Sequence, residues 1–408
     1  MLMRTDIALT KFSGTVSSAS VLVFFALGGF VFACHQLDLD FAINNGLFIP
    51  DSLNITQTLE NDWVADRFWD VGSNLFGIKL VYGWTWYVHP SISYIVNLFL
   101  TSLSILVCRR LAFSVFGMLH WPVLGIILNP YLILVMPGPN KEIPLMLITI
   151  CLCWQWVYRN RYWLLISSLL CLIAYFLREG YGIFLLFCQL MIFYLKTRYR
   201  RFAFILCLML LMLAIFWSEL IPLFSSISPN IQTYVTHSDI GAAPGTFSAL
   251  LYVSPTNVFL AFPLFLLRLA FNSLTLAMFP IFYTQDGALY WSGISYWIAG
   301  ICTILIVSAS LIQYFSNFSK KSIAYLFCGL VVGTWFFISL SLIVQPRYLM
   351  PVIPIGFLAL ASAPPNLRNG CIAFALIFSI SSATLNTSFG HASSANSFEL
   401  EAAPAYVW

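Results

Sequence analysis

Long apolar runs recur along this 408-residue chain, from residue 14 to residue 387, and constrain its fold more than any other feature. Hydrophobic residues make up 60% of the sequence and charged residues only 8%, whereas about a quarter of a soluble protein is charged. So few charged residues are not enough to cover the surface of a soluble protein of this length. The pattern excludes a cytosolic globular enzyme, a disordered protein and a nucleic-acid binder. It predicts an all-α polytopic integral membrane protein.

The charges between the runs orient the chain. Arg4 and Lys11 precede the first run, so the positive-inside rule predicts a cytoplasmic N-terminus. Basic and acidic segments then alternate, and most of the 15 acidic residues fall on the outer side. Residues 256–282 are ambiguous, and a re-entrant hairpin, an interfacial helix and two short spans are the alternatives for them. The eleven clear spans are predicted at 14–34, 90–108, 113–136, 143–158, 162–177, 181–195, 202–223, 291–314, 322–343, 349–363 and 370–387.

We therefore predict a single transmembrane domain over residues 1–408, with about 11–13 transmembrane helices. Its first extracytoplasmic loop covers 35–77 and its second covers 224–255. Several runs are shorter than the ~20 residues that cross a bilayer at right angles. The ends of these short helices are expected to lie beside a water-filled cavity, where such a shortfall is tolerated.

The first outer loop is rich in acidic residues. Asp62, Asp66 and Asp70 recur every four residues and are accompanied by tryptophans, which predicts an amphipathic helix over 56–72 on the outer surface. A solvated face is the favoured interpretation of those three acids.

Three other acids of this loop are candidate catalytic residues. Asp38 and Asp40 follow the first span directly, and Asp51 follows a proline. Each is either a general base or a residue that caps a helix or turn, and the sequence leaves both alternatives open.

Three basic residues interrupt the outer ends of predicted helices. Lys141 is followed by Glu142, Arg178 is followed by Glu179, and Arg347 follows a proline. Ionisable groups at membrane depth are costly and usually functional, although single interfacial charges often extend to water. Three on one face favour a shared polar site. Arginine binds phosphate through paired hydrogen bonds and lysine acts as a point charge, so we predict an anion site.

The predicted site combines four segments on the outer side. The turns at 138–142, 178–180 and 345–348 are expected to meet in one outward-facing cavity with the segment 38–51. The helix that begins near Glu142 adds its exposed N–H groups to this cavity.

The stretch 345–354 reads Gln-Pro-Arg-Tyr-Leu-Met-Pro-Val-Ile-Pro. It resembles the Arg-Tyr-x-x-Pro-x-x-Pro stretch of membrane glycosyltransferases of the GT-C class, which use polyprenyl-phosphate-linked sugars. The Asn-Lys-Glu turn at 140–142 and the Arg-Glu-Gly turn at 178–180 are similar to turns of cell-envelope polysaccharide proteins, including capsule and O-antigen polymerases.

The resemblance implies a role for each group. A carboxylate of the first outer loop is the catalytic base in that class, and Asp38, Asp40 or Asp51 matches by position. Arg347 matches the residue that contacts the donor phosphate. The full set of predicted phosphate-binding residues is Lys141, Glu142, Arg178, Glu179, Arg347 and Tyr348.

The leading hypothesis is a glycosyltransferase of the outer face of a bacterial inner membrane. Its partners are the bilayer and a polyprenyl-phosphate-linked sugar or glycan, with no nucleic acid. The sequence assigns no cofactor and leaves a divalent cation open. One alternative is a polymerase of lipid-linked repeat units, and a second is a transporter or flippase of lipid-linked glycans.

Overall fold

A computed structural model describes most of the chain outside the segments 48–72 and 195–290. The described residues are 2–38, 41–42, 47, 73–89, 91–117, 121–127, 129–159, 161–194, 291–316, 323–339 and 346–389. These residues are almost entirely helical and contain no β-strand, which confirms the all-α prediction for this part of the chain. The predicted surface helix at 56–72, the loop at 224–255 and the span at 202–223 lie outside the described residues.

The described helices follow one another in chain order. The α-helices are α1 (Leu2–Leu37), α2 (Ser73–Tyr82), α3 (Ile92–Phe116), α4 (Trp121–Ile127), α5 (Pro130–Val135), α6 (Glu142–Tyr158), α7 (Trp163–Leu177), α8 (Glu179–Tyr194), α9 (Trp291–Ser316), α10 (Ile323–Ser339), α11 (Ile353–Ser362) and α12 (Pro365–Phe389). Two 3-10 helices cover Gly83–Tyr87 and Pro346–Val352.

Three described helical segments are long and apolar enough to cross a membrane. They are Ala19–Leu37 in α1, Ile92–Val115 in α3 and Trp297–Phe315 in α9. Shorter apolar helices accompany them, including α6, α7 and most of α10. The three long helices indicate a membrane protein.

Large apolar side chains lie exposed in stripes along several helices. On α7 the exposed residues Leu165, Leu169 and Leu172 follow helical spacing. Similar stripes occur on α3 (Ile95, Phe99, Leu106 and Phe113) and on α8 (Ile183, Leu186 and Leu190). A soluble monomer rarely exposes apolar patches of this extent, so the stripes agree with a hydrocarbon environment.

The prediction of one span over 113–136 is wrong. Helix α3 continues to Phe116 and ends at Gly117, whose left-handed backbone (φ 65°) is the conformation that glycine adopts most easily. Two short helices, α4 and α5, then cover the rest. They are separate because Pro130 has no N–H to donate and disfavours helical geometry at the residue before it, Asn129.

Two further boundaries differ from the predictions. The end of the 90–108 span is wrong because α3 runs past Arg109 and Arg110, whose side chains are exposed on the helix surface. The segment 73–87 was assigned to the first loop as far as residue 77 and to no element beyond it, but it forms α2 and a 3-10 helix. Helix α2 packs against α7, a contact between segments distant in sequence that no local pattern reports.

Side-chain contacts bring several helix ends to one side of the protein. Ser91, just before α3, donates to Gln36 near the end of α1 (3.2 Å). Asn97 in α3 donates to the carbonyl oxygen of Gly138, just before α6 (2.8 Å). Helices α7 and α8 form a hairpin whose turn lies beside the start of α6.

Candidate functional site

Arg178 is the single residue that connects α7 to α8. Its backbone is extended (φ −158°, ψ 101°) between the two helices. Its N–H donates to the carbonyl oxygen of Ala174 (2.8 Å), and its own carbonyl accepts from the N–H of Gly182 (2.9 Å). Both helix ends therefore use Arg178 to satisfy backbone groups that helix termini leave open.

Two glycines allow backbones to approach closely around this turn. A Cβ atom added to Gly182 would lie 2.2 Å from the Cα of Tyr175, and one added to Gly77 would lie 2.3 Å from the carbonyl oxygen of Phe176. Helices α8 and α2 both pack against α7. These contacts fix the position of Arg178, because no flexible side chain separates the three helices.

The Arg178 side chain joins two other turns. Its Nη2 lies 3.7 Å from Oε1 of Glu142, and its Cζ lies 4.2 Å from the centroid of the Tyr348 ring. The Glu142 side chain is 7% exposed and that of Arg178 is 25% exposed. We call these three residues with Lys141 the Arg178 cluster. The structure thus brings together residues of all three basic turns that the sequence analysis selected.

The ion pair leaves hydrogen-bonding capacity on the guanidinium. A separation of 3.7 Å is longer than a hydrogen bond, so Glu142 does not consume any of the five N–H donors of Arg178. The ring of Tyr348 attracts the cation through its face. Arg178 is therefore held from two sides while its donors stay suited to an anionic group.

Hydrogen bonds hold the turn before α6 in place. Asn140 accepts from the N–H of Ile143 (2.9 Å) and donates to the carbonyl oxygen of Val135 (3.0 Å). Glu142 accepts from the N–H of Lys141 through Oε2 (3.2 Å). A carboxylate in the first turn of a helix interacts favourably with the helix dipole, which compensates part of the cost of burying Glu142.

Residues of α2 and α3 also stabilise the turn before α6. The buried Asn97 side chain donates to the carbonyl oxygens of Met136 and Gly138, both at 2.8 Å. The hydroxyl of Tyr82 donates to Oδ1 of Asn97 (2.6 Å). Neither Tyr82 nor Asn97 was among the residues predicted from the sequence. An asparagine within the apolar run 90–108 was the available signal, since buried amides need partners.

The surroundings of Tyr82 place it beside the cluster. Burial raises the pKa of its hydroxyl well above the ordinary value, a hydrogen bond with the Asn140 backbone opposes this, and the charge of Glu142 raises it further. Tyr82 therefore stays neutral and acts as a hydrogen-bonding group.

The candidate acids of the first loop are only partly described. Asp38 is exposed; its N–H donates to the carbonyl oxygen of Cys34 (2.9 Å), and its Oδ1 accepts from the N–H of Phe41 (2.8 Å). Asp38 thus caps a turn after α1, one of its two predicted alternatives. Asp40 and Asp51 lie outside the described residues.

Two remaining predicted residues are described by their backbone alone. Glu179 opens α8 and Arg347 lies in the 3-10 helix Pro346–Val352. Their predicted contacts with phosphate stay predictions. Within the described ranges, no group of three or more His, Cys, Asp and Glu side chains is arranged to hold a metal ion.

No protein-family model matches this chain, and no curated protein or solved structure matches it either. The site must therefore be interpreted from its own geometry.

Proposed function

We propose that this protein is a membrane glycosyltransferase that transfers a sugar from a polyprenyl-phosphate-linked donor to an envelope glycan or lipid acceptor. The observation that carries the proposal is the contact of Arg178 with both Glu142 and Tyr348. The guanidinium of Arg178 joins the three selected turns and keeps its hydrogen-bond donors. It therefore suits a phosphate group better than a purely apolar lipid chain.

The proposal includes the membrane arrangement. We infer about 11–13 transmembrane helices in a bacterial inner membrane, with the N-terminus in the cytoplasm and the Arg178 cluster on the extracytoplasmic side. The exposed stripes on the short helices α7 and α8 support spans beyond the three long ones. The basic residues Arg159 and Arg161, at the opposite ends of α6 and α7, support the orientation.

In this proposal the cluster acts on the leaving group. Negative charge develops on the donor phosphate as the sugar–oxygen bond breaks, and fixed cations stabilise that charge in the transition state. Arg178, Lys141 and Arg347 supply the cations. Tyr348 and Glu142 orient the guanidinium of Arg178. A carboxylate of the first loop removes the proton from the acceptor hydroxyl, with Asp38, Asp40 and Asp51 as the candidates.

A polymerase of lipid-linked repeat units would use the same cluster. It differs in its acceptor, which is a growing glycan chain, so the product length distinguishes the two enzymes. Supplying the purified protein with one lipid-linked donor and examining products by mass spectrometry gives single additions for a transferase and a ladder for a polymerase.

A transporter of lipid-linked glycans is supported by a different observation. The break between α4 and α5 leaves Oδ1 of the buried Asn129 without a hydrogen bond in the described part of the chain. Interrupted helices with open polar groups form the binding sites of many transporters. Transfer of sugar in detergent solution decides between the classes, because a transporter makes no product there.

The test of the proposed enzyme uses Arg347. We measure turnover per folded molecule for the wild type, Arg347→Ala and Arg347→Lys, with a lipid-linked sugar donor in detergent. The Ala variant is expected to lose about 10²–10³-fold in rate, as for loss of one transition-state donor. Arg347→Lys should restore only part of the rate, because lysine keeps the charge but lacks the paired N–H groups of arginine.

The control variant is Arg161→Ala, which removes an exposed arginine at the inner end of α7. It should retain wild-type turnover. Near-normal turnover of Arg347→Ala would remove this residue from the phosphate site and contradict the proposal.

A further inference from the structure

We propose that Asn97 is a positioning residue of the phosphate site, because its amide fixes the turn before α6 and that turn sets where Glu142 meets Arg178. This inference rests on the proposed function and adds to it a residue that does not touch the substrate. The observation behind it is a buried amide in the apolar helix α3 that donates to two carbonyl oxygens of the turn.

The turn between α5 and α6 lacks backbone donors for its own carbonyl oxygens. In a β-turn, the carbonyl oxygen of the first residue accepts from the N–H of the fourth. For Met136 the fourth residue is Pro139, which has no N–H. For Gly138 it is Lys141, whose N–H donates to Oε2 of Glu142 (3.2 Å). Both carbonyl oxygens therefore need a donor from outside the backbone of the turn.

The Asn97 side chain supplies these donors and uses both of its N–H groups to do so. Its Nδ2 donates to the carbonyl oxygens of Met136 and Gly138, both at 2.8 Å, and its Oδ1 accepts from the hydroxyl of Tyr82 (2.6 Å). The orientation of the amide is fixed, because only its nitrogen can donate to two carbonyl oxygens. Asn97 and Tyr82 are fully buried, so water competes little with these bonds.

The turn is connected to the Arg178 cluster through the start of α6. Asn140 donates to the carbonyl oxygen of Gly138 (3.1 Å) and accepts from the N–H of Ile143 (2.9 Å), so the turn and the first residues of α6 are held together. Glu142 opens α6, and its Oε1 lies 3.7 Å from Nη2 of Arg178. A displaced turn therefore moves Glu142 relative to Arg178, and a misplacement of about 1 Å in a preorganised site can lower its effectiveness by up to ~10²-fold.

A purely structural role for Asn97 predicts a different result. An amide that only satisfies carbonyl oxygens contributes to folding, so its loss lowers stability without changing ligand affinity per folded molecule. A positioning role lowers the affinity for the phosphate group and leaves the contribution of the apolar tail unchanged. Its effect also disappears once Arg178 has been replaced, because residues that act through one another are not additive.

The probes are geranylgeranyl phosphate and the uncharged alcohol geranylgeraniol, titrated into the full-length protein in detergent and followed by tryptophan fluorescence. Asn97→Leu should weaken binding of the phosphate by about 10-fold per folded molecule, a coupling typical of residues in one hydrogen-bond network. Binding of the alcohol should not change. In the Arg178→Gln background, which itself binds the phosphate weakly, Asn97→Leu should add a loss of less than about twofold.

Gln313→Leu is the matched control. Gln313 is also a buried amide, and it donates to the carbonyl oxygen of Ala359 (2.9 Å) between α9 and α11. This variant should bind both probes as the wild type does. If Asn97→Leu does not fold, Asn97→Ser takes its place. A hydroxyl supplies one donor instead of two, so the expected loss is about threefold, half of the full loss on a logarithmic scale.

Three results would overturn the inference, and they differ in their meaning. If Asn97→Leu and Asn97→Ser bind the phosphate as the wild type does while Arg178→Gln binds it weakly, Asn97 has a structural role only and the phosphate site stands. The same conclusion follows if the losses for Asn97→Leu and Arg178→Gln simply add in the double variant. If the wild type binds the phosphate no better than the alcohol, both the inference and the proposed function fail.

Discussion

The chain interrupts its apolar helices at Arg178 and at Asn129, and the two breaks differ in chemistry. The Arg178 side chain is 25% exposed, carries a charge and contacts Glu142 and Tyr348. Asn129 is 1% exposed and neutral; its amide nitrogen contacts the sulfur atom of Met350. A charge is expensive to remove from water and an amide less so, so the charged break lies at a rim and the neutral break in the interior.

The causes of the two breaks also differ. Pro130 disfavours helical geometry at Asn129, so that break is encoded within two neighbouring residues. No proline follows Arg178. Its extended backbone is maintained by the close approach of α7 to α8 at Gly182 and to α2 at Gly77. The charged turn at Arg178 therefore depends on helices that are distant in sequence, whereas the proline break at Asn129 does not.

The largest effect is expected on activity at the charged break. Arg178→Ala should lower sugar transfer by about 10²–10³-fold, because it removes a cation from the developing phosphate charge. Asn129→Ala should leave transfer within a few-fold of the wild type, measured per folded molecule. The reverse order, with Asn129→Ala the more damaging change, would move the functional site to the interior break and favour the transporter hypothesis.

The packing at the two breaks can be compared through the free energy of unfolding of Gly→Ala variants. Gly182→Ala should lower the free energy of unfolding by about 2–3 kcal/mol, because its Cβ meets the backbone of Tyr175 at 2.2 Å. Gly125→Ala, near the interior break, should cost less, about 1 kcal/mol. There the nearest atoms are Cδ2 of the Phe357 ring at 2.9 Å and the Cα of Pro354 at 3.1 Å, so the steric overlap is smaller than at Gly182.

Gly180→Ala is the matched control for that pair, since its nearest neighbour is the ring of Phe337 at an ordinary 3.5 Å. It should be neutral or slightly stabilising. Unfolding is followed by circular dichroism in a denaturing-detergent titration. An equal loss for Gly180→Ala and Gly182→Ala would show that the hairpin does not depend on the close backbone contact.

A smaller effect is expected from the hydroxyl that supports the charged corner. Tyr82→Phe should lower the free energy of unfolding by about 1–2 kcal/mol, because Oδ1 of the buried Asn97 loses its donor. Tyr181→Phe is the comparison. Its hydroxyl contacts Thr149 (2.9 Å), but Thr149 also donates to the carbonyl oxygen of Leu145, so the loss should be smaller. If Tyr82→Phe and Tyr181→Phe lower the free energy of unfolding equally in the same titration, this prediction is wrong.

The smallest effect is expected from an apolar replacement at the interior break. Asn129→Leu should change the free energy of unfolding by less than about 1 kcal/mol. It removes an amide oxygen that has no partner in the described residues as well as the contact with Met350. A loss of several kcal/mol would show that the amide oxygen binds a group essential to folding, such as a buried water or ion.

The sequence alone determined the helical class, the positions of most helices and the selection of the three basic turns. Apolar runs report helices because their length and periodicity are local properties. The predicted spans at 143–158 and 162–177 agree with α6 and α7 to within one residue at each end. The missed break at Asn129 was local too, but the hydropathy of 113–136 obscured the effect of Pro130.

Only the tertiary structure decided which groups meet. Tyr348 and Glu142 lie far from Arg178 along the chain, and their contact with it depends on how α6, α7 and the 3-10 helix Pro346–Val352 pack. Asn97 reaches carbonyl oxygens 39 and 41 residues away. Helix α2 had no counterpart among the predicted spans, and its packing against α7 was visible only in the structure. Hydropathy and charge spacing describe neighbours along one helix, whereas buried contacts between helices depend on shape and on hydrogen bonds that a linear pattern does not contain.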